Sequence, residues 1–187
     1  CTYSNDEASG NSGATNTLKN VTLNYAVSLD GTVESVAEKG ASNDSVATAP
    51  IIRVTNVMSS SSTSEENFYI LDNRYLFAGI SYYVQEKQHS FTLVNYPNEE
   101  VEDGVIKFYL RHGGTPEKDG VTLISANVAG TYPYLYYQSF DLANYLPTLP
   151  GKEVKIIVEV DENTVNNKLD DERTKKREYS LTYKVEE

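Results

Sequence analysis

The sequence is poor in the residues that hold small extracellular domains together. Cys1 is the single cysteine among 187 residues, so no disulfide framework can form within the chain. Tryptophan is absent and methionine occurs once, whereas tyrosine occurs 15 times. The fold must therefore be held by packing and hydrogen bonds, with tyrosine filling part of the core.

Positive charge and long apolar runs are also lacking. The formal net charge is -11 at pH 7. Nucleic acids and anionic membrane surfaces bind proteins through basic patches, so this negative charge disfavours both as partners. The densest apolar stretch, residues 75–84, is interrupted by Gly79 and Ser81 and is much shorter than the ~18 residues that span a bilayer. We therefore expect no nucleic-acid partner and no transmembrane helix.

Helical periodicity is almost absent. Only residues 142–146 could form a single turn, which Pro147 would end. Apolar and polar residues instead alternate with period two, and turn residues separate the alternating segments. Strands are predicted at residues 21–29, 51–58, 68–71, 74–84, 89–95, 105–112, 121–128, 154–160 and 179–185. The pattern predicts an all-β fold, an antiparallel β-sandwich that is immunoglobulin-like or related.

Composition divides the chain into three regions. Residues 1–16 are rich in Ser, Asn, Gly and acidic residues and predict a disordered tether. Residues 17–49 predict an N-terminal β-hairpin region with its turn at Asp30-Gly31, either a remnant small barrel or added strands. Residues 50–187 predict the β-sandwich domain. A long charged loop, residues 161–177, separates the last two predicted strands, and residues 163–178 are expected to form a solvated, mobile hairpin loop.

The position of Cys1 indicates how the protein is anchored. A first-residue cysteine followed by a polar tail is typical of a bacterial lipoprotein after removal of its signal peptide, with the acyl chains on that cysteine. We therefore expect an outer-membrane lipoprotein of the cell envelope, facing either the periplasm or the cell surface. Its membrane contact would be the N-terminal acyl anchor.

Four segments resemble one protein family. They contain aromatic-rich strands, a His-x-x-x-Leu pattern, Leu-Arg-His and Ser-Phe-Asp-Leu, in ILDNRYLFAGISYYV (70–84), QHSFTLVNYP (88–97), VIKFYLRHGG (105–114) and QSFDLANYLP (138–147). Over residues 50–187 the chain thereby resembles the C-terminal β-sandwich of the NigD-like lipoproteins of Bacteroidetes. That family usually carries a small OB-like barrel in front, for which residues 17–49 are too short. The resemblance implies no established activity, and an immunity role is only a suggestion carried by the family's name.

Catalytic motifs are not evident. No Gly-x-Ser-x-Gly elbow or phosphate-binding loop occurs, and a serine nucleophile would have to use one of only two histidines as its base. The acids at positions 99, 100, 102 and 103 are interpreted as solvated loop charge. Asp170, Asp171 and Glu172 lack the alternation and the glycine turn of a calcium loop. We expect no enzyme, metal or cofactor, and a hydrolase is the third hypothesis.

The leading hypothesis is a non-enzymatic accessory or binding protein, whose partner would be a glycan or a protein at the cell surface. A carbohydrate-binding module is the alternative, because Tyr132, Tyr134 and Tyr136 would share one face of an extended strand and could stack on a sugar. The competing explanation of this stripe is structural: the tyrosines take the place of other hydrophobic residues in the core. Ser45, within Asp44-Ser45-Val46, resembles the acceptor for protein O-glycosylation in Bacteroidetes.

The two histidines are predicted to be cross-strand neighbours on one face. Pairing Phe91 with Leu110 in antiparallel strands brings His89 opposite His112. Two imidazoles could share a metal ion, but two ligands are too few, so a structural pair is favoured.

Overall fold

The computed structural model describes residues 28–39, 49–55, 67–84, 89–113, 132–166 and 171–185, and in these ranges it is all-β. Cys1, residues 1–16, Ser45, the predicted strand at 121–128 and Asp170 lie outside them. The described strands are β1 (Ser28–Ser35), β2 (Arg53–Thr55), β3 (Phe68–Leu71), β4 (Tyr75–Val84), β5 (Ser90–Asn95), β6 (Val105–Gly113), β7 (Tyr132–Asp141), β8 (Glu153–Glu162) and β9 (Lys175–Lys184). Within the same ranges the protein has no helix long and apolar enough to cross a membrane.

The strands form a curled mixed sheet in the order β2-β4-β7-β1-β5-β6-β8-β9, with β3 also paired to β4. The all-β prediction is confirmed, but an antiparallel sandwich is not what the pairing gives. β1 runs parallel to both β5 and β7, and β6 runs parallel to β8. Parallel neighbouring strands are joined by long connections. The turn residues between consecutive strands therefore could not predict the parallel pairs.

β1 contradicts the predicted hairpin, because the strand runs straight through Asp30-Gly31. The parallel ladder with β7 changes register between Ser28 and Gly31, so this glycine lies at a bulge. A Cβ on Gly31 would lie 2.2 Å from the Ser139 carbonyl oxygen and 2.6 Å from the Phe140 ring. Glycine is required here because β1 and β7 approach each other closely, and not because the chain turns. The domain division at residue 50 stays a prediction.

The core lies inside the curl and draws on both halves of the sheet. Leu76 and Ile80 of β4 are fully buried with Leu93 of β5, Phe108 of β6 and Ile156 of β8. Alternate residues of these strands point inwards, as period-two patterning requires.

A crossing segment, residues 49–55, spans one end of the curl. The Ile51 amide donates to the Asp161 carbonyl at 2.8 Å, and the Asn163 amide donates to the Ile51 carbonyl at 2.8 Å. The next amide, that of Ile52, donates to the Ser81 carbonyl at 2.7 Å. The segment thus ties β8 to β4 and covers the buried end of the sheet.

Two local predictions agree with the structure. The strands predicted at 68–71 and 74–84 are joined at Asp72 and Asn73, which have φ values of 54° and 50°. Positive φ at both central residues is the geometry that matches the twist of a tight hairpin. The single turn predicted at 142–146 is present, with the Leu146 amide donating to the Leu142 carbonyl at 3.1 Å.

The charged loop is shorter than predicted, and its described ends are hydrogen-bonded. β8 reaches Glu162 and β9 begins at Lys175. The Asn163 side chain accepts from the Val165 and Asn166 amides at 2.9 and 3.0 Å. It also donates to Asn166 and to Thr174, both at 3.0 Å. The described ends of this loop are therefore tied together by hydrogen bonds, and the mobility of the loop stays a prediction.

Candidate functional site: a buried histidine and tyrosine cluster

A group of five rings closes the core beneath the crossing segment, and we call it the His–Tyr cluster. Tyr82 of β4 is at its centre, with ring centroids 5.0 Å from His89, 5.1 Å from Phe91, 5.2 Å from His112 and 5.8 Å from Tyr134. Tyr82 is fully buried, whereas Tyr134 is 39% exposed. The cluster therefore leads from the core to the surface at β7.

The two histidines contact each other inside this cluster. His89 Nδ1 lies 2.7 Å from His112 Nε2, and the two residues are 5% and 2% exposed. His112 Nδ1 lies 3.2 Å from the Pro50 carbonyl oxygen, which can only accept. His112 Nδ1 must therefore carry the hydrogen, its Nε2 accepts, and His89 Nδ1 donates. These two hydrogen bonds link His89, just before β5, through His112 of β6 to the crossing segment.

The structure brings the histidines together through a different register from the predicted one. Phe91 opposes His112 and Leu93 opposes Leu110, so His89 lies beyond the last opposed pair, Ser90 with Gly113. The predicted pairing of Phe91 with Leu110 is wrong by two residues. A slip of two keeps every side chain on its face, which is why the rings still meet.

Burial sets the protonation state of His112. Loss of solvent, followed by the neighbouring His89, lowers the pKa of His112 to about 3, although the Pro50 and Ala49 carbonyls oppose the shift. His112 is therefore neutral at physiological pH. The site disfavours positive charge, and in the described ranges no group of three His, Cys, Asp or Glu side chains is placed to hold a metal ion.

The tyrosine stripe is only partly a surface. The Tyr134 and Tyr136 rings are stacked, 6.4 Å apart with an angle of 20° between their planes. Tyr136 is half-buried and packs against the core, and the Tyr132 side chain lies outside what the structure describes. Leu135 and Tyr137, on the opposite face of β7, are 42% and 37% exposed. The geometry offers two stacked rings, one of them open to solvent.

A second cluster, on the outer face of the sheet, was missed by the sequence reasoning. Tyr109 is fully buried, and its hydroxyl lies 2.5 and 2.7 Å from the two carboxylate oxygens of Glu99. Lys39, in the segment that follows β1, places its ammonium 3.9 Å from the centre of the Tyr109 ring. Burial and then Glu99 raise the pKa of Tyr109. Glu99 is therefore a hydrogen-bonded acid, not the solvated loop charge that was expected.

Glu162, at the end of β8, is a further buried acid. It is 8% exposed and accepts from the Tyr179 hydroxyl, while Arg177 Nε lies 2.8 Å from its second oxygen. Asp171 is tied to Arg173 at 2.6 Å and to Asn166 at 2.8 Å. Hydrogen bonds from Arg173 and then Asn166 hold the pKa of Asp171 below its usual value. Each acid therefore has protein partners, while Glu172 is exposed.

Comparison with solved structures identifies similar folds. A candidate lipoprotein from Bacteroides fragilis matches over 85% of this chain and 73% of its own, with a TM-score of 0.64 and 22% sequence identity. A NigD-like immunity protein from Bacteroides caccae matches over 86% of this chain and 67% of its own, with a TM-score of 0.53 and 19% identity.

The fold is similar to that of a NigD-like protein. The resemblance predicted from the sequence is thereby confirmed at the level of the fold. No known protein family matches the chain by sequence, and no curated protein does so either. At these identities the similarity concerns architecture, and the chemistry of the chain must be argued from its own residues.

Proposed function

We propose that the protein is a non-enzymatic accessory or binding protein of the cell envelope, anchored to the outer membrane through acyl chains on Cys1. The observation that carries the proposal is the fold similarity to a candidate lipoprotein over 85% of the chain. The polar composition of residues 2–16 agrees with a tether. The body would then be an all-β domain, built on the curled mixed sheet, that a tether holds away from the lipid.

The state of the histidines supports a non-catalytic role. A serine hydrolase of the Ser-His type would need an imidazole base that reaches the nucleophile and the substrate. Both imidazoles of this chain are buried and contact each other, and His112 Nδ1 is engaged by Pro50. They contribute to packing and to the attachment of the crossing segment.

The anchor can be tested by replacing Cys1 with serine in a gene that carries an export signal, expressed in a Bacteroides host. We expect the wild-type protein to incorporate a clickable fatty acid and to fractionate with the outer membrane, and Cys1→Ser to lose both properties. A matched Ser4→Ala variant in the same segment should keep both. Membrane fractionation that survives in Cys1→Ser would refute the acyl anchor.

Carbohydrate binding is the second candidate, and the stacked pair of Tyr134 and Tyr136 favours it. Aromatic rings present a flat apolar face together with a polar hydroxyl, and the outer ring here is 39% exposed. A glycan array should give hits that Tyr134→Ala abolishes. Tyr137→Ala, an exposed tyrosine on the opposite face, is the control and should leave the hits unchanged. An array without hits for the wild-type protein would dismiss this candidate.

A further inference from the structure

A pocket of about 280 Å³ lies beside the end of β5, whereas the His–Tyr cluster lies at the beginning of this strand. One wall is the loop that joins β5 to β6, residues 96–104, and the other wall includes Asn144 and Tyr145, in the turn after β7. The volume is near the lower end of the range of about 300–1,000 Å³ that small-molecule sites occupy. The pocket therefore has room for a molecule of about one ring.

The walls of this pocket are held in place by contacts within the protein. In the loop, the Val105 amide donates to the Glu102 carbonyl at 3.1 Å. In the turn, the Tyr145 amide donates to the Leu142 carbonyl at 2.9 Å. The Tyr145 ring also packs edge-on against the Phe108 ring, with their centroids 5.1 Å apart. The pocket is therefore preformed, so binding does not have to order these segments.

The charged residues of the lining, Glu99 and Lys107, already have partners within the protein. The two Glu99 carboxylate oxygens lie 2.5 and 2.7 Å from the Tyr109 hydroxyl. The Lys107 ammonium lies 3.1 Å from Glu159 and 2.7 Å from Glu178. A cationic ligand would have to compete with Tyr109, and an anionic ligand would have to compete with two carboxylates. Because a charge that loses water without gaining a counter-charge is costly, the pocket favours a ligand without charge.

Neutral polar groups of the lining still have hydrogen-bonding capacity. The Asn95 side chain donates to the Lys107 carbonyl at 2.9 Å, which leaves its amide oxygen without a hydrogen bond to another described residue. The Asn144 amide group and the Tyr145 hydroxyl make no side-chain hydrogen bond within the described ranges. An amide group and a phenol can both donate and accept, as a sugar hydroxyl can. These three side chains are therefore suited to a ligand that carries hydroxyl groups.

Apolar side chains complete the pocket. Val101 is 44% exposed, and Val105 and Ile106 are half-buried. Accessible aliphatic side chains beside neutral polar groups suit a ligand that has apolar and hydrogen-bonding parts on one small ring. A sugar ring has C–H bonds on its faces and hydroxyl groups around its rim. An uncharged sugar therefore matches both kinds of lining without requiring a counter-charge.

We propose that this pocket is a binding site for one uncharged sugar ring, with Asn95, Asn144 and Tyr145 as its hydrogen-bonding residues. The inference rests on the binding role proposed above and gives that role a site separate from Tyr134. The extended chain from Tyr134 to Asp141 at the end of β7 spans about 23 Å, and Tyr145 follows beyond that end. A single ring binds with roughly millimolar affinity. Because this is too weak for a glycan array, the array remains a test of Tyr134.

The test is a titration of the full chain, labelled with ¹⁵N, with single sugars, followed by two-dimensional NMR. Glucose, galactose, mannose and N-acetylglucosamine are the uncharged probes, and glucuronate and glucosamine are the charged ones. We expect an uncharged probe to shift the side-chain amide signals of Asn95 and Asn144, and the charged probes to bind roughly 5-fold more weakly or less. Tyr145→Phe and Asn144→Ala should each weaken the binding roughly 3- to 10-fold, because each removes one hydrogen-bonding group.

Both variants should fold like the wild-type protein, because Tyr145→Phe keeps the packed ring and Asn144 is exposed. Tyr137→Phe removes a hydroxyl from an exposed tyrosine outside the pocket and is the control, which should bind like the wild-type protein. The proposal is overturned if no uncharged probe shifts these signals, if a charged probe binds more tightly, or if both variants bind unweakened. Binding that only Tyr134→Ala removes would also overturn it and would support the site on β7 instead. The fractionation of Cys1→Ser tests the anchored accessory role separately.

Discussion

Buried, neutral His112 makes the stability of the fold depend on pH in a defined window. The pKa of His112 is about 3 in the folded protein, against about 6.5 in an unfolded chain. Below pH 6.5 the unfolded state therefore binds a proton that the folded state refuses. By linkage, this group's contribution to stability is complete above pH 6.5 and is lost as the pH falls towards 3.

The magnitude follows from the size of the pKa difference. Each pH unit below 6.5 costs roughly 1 kcal/mol, so lowering the pH from 7.5 to 4.5 should cost on the order of 2–3 kcal/mol from His112 alone. Because His112 is buried, solvent screening does not reduce this value appreciably. Carboxylates titrate in the same range, and a matched variant is needed to subtract their contribution.

His112→Gln is that variant, because its amide can donate towards Pro50 and accept from His89 without titrating. Urea unfolding followed by circular dichroism at pH 7.5 and pH 4.5 gives the free energy of unfolding for both proteins. We expect the wild-type protein to lose on the order of 2–3 kcal/mol more than His112→Gln between the two pH values. Phe91→Leu, in the same cluster, should lose stability equally at both pH values. If the difference in the free energy of unfolding between the wild-type protein and His112→Gln were the same at both pH values, the reasoning would be refuted.

Two further predictions concern the positions where strands and segments meet. Gly31→Ala should lower the free energy of unfolding by about 1–3 kcal/mol, because the new methyl group overlaps the Ser139 carbonyl. Urea titration checks this, and an unaffected midpoint would mean that β1 does not lie against β7. Tyr109→Phe should cost about 1–2 kcal/mol through its lost hydrogen bond to the Glu99 carboxylate. Tyr145→Phe is its control in the same titration, and equal losses would contradict a special role for Glu99.

Local patterns predicted the strands well where neighbours in sequence are neighbours in space. The alternation in residues 154–160 and 179–185 predicts β8 and β9, which pair antiparallel with each other. The strands predicted at 68–71 and 74–84, which the structure joins at Asp72 and Asn73, and the turn after Leu142 also follow from nearby residues. In each case the decisive interactions span only a few positions or one short connection.

Non-local contacts account for the errors. Asp30-Gly31 is a favourable hairpin sequence, yet Gly31 is required because β7, more than a hundred residues later, approaches its backbone. The sequence placed both histidines on one face, but the two-residue register depends on how β5 and β6 fit the core. The Glu99 carboxylate and Lys39 meet at Tyr109 only because the segment after β1 crosses the outer face.

By itself, the sequence determined that this protein is built from strands, relies on tyrosine for its core and forms no internal disulfide. It also carried enough pattern to indicate a NigD-like fold. Only the tertiary structure decided that β1 lies parallel between β5 and β7, that Pro50 accepts from a buried histidine pair, and that β9 ends the sheet. The physical reason is that period-two patterning specifies which face of a strand is buried. The choice of neighbouring strand depends on packing between residues far apart in the chain.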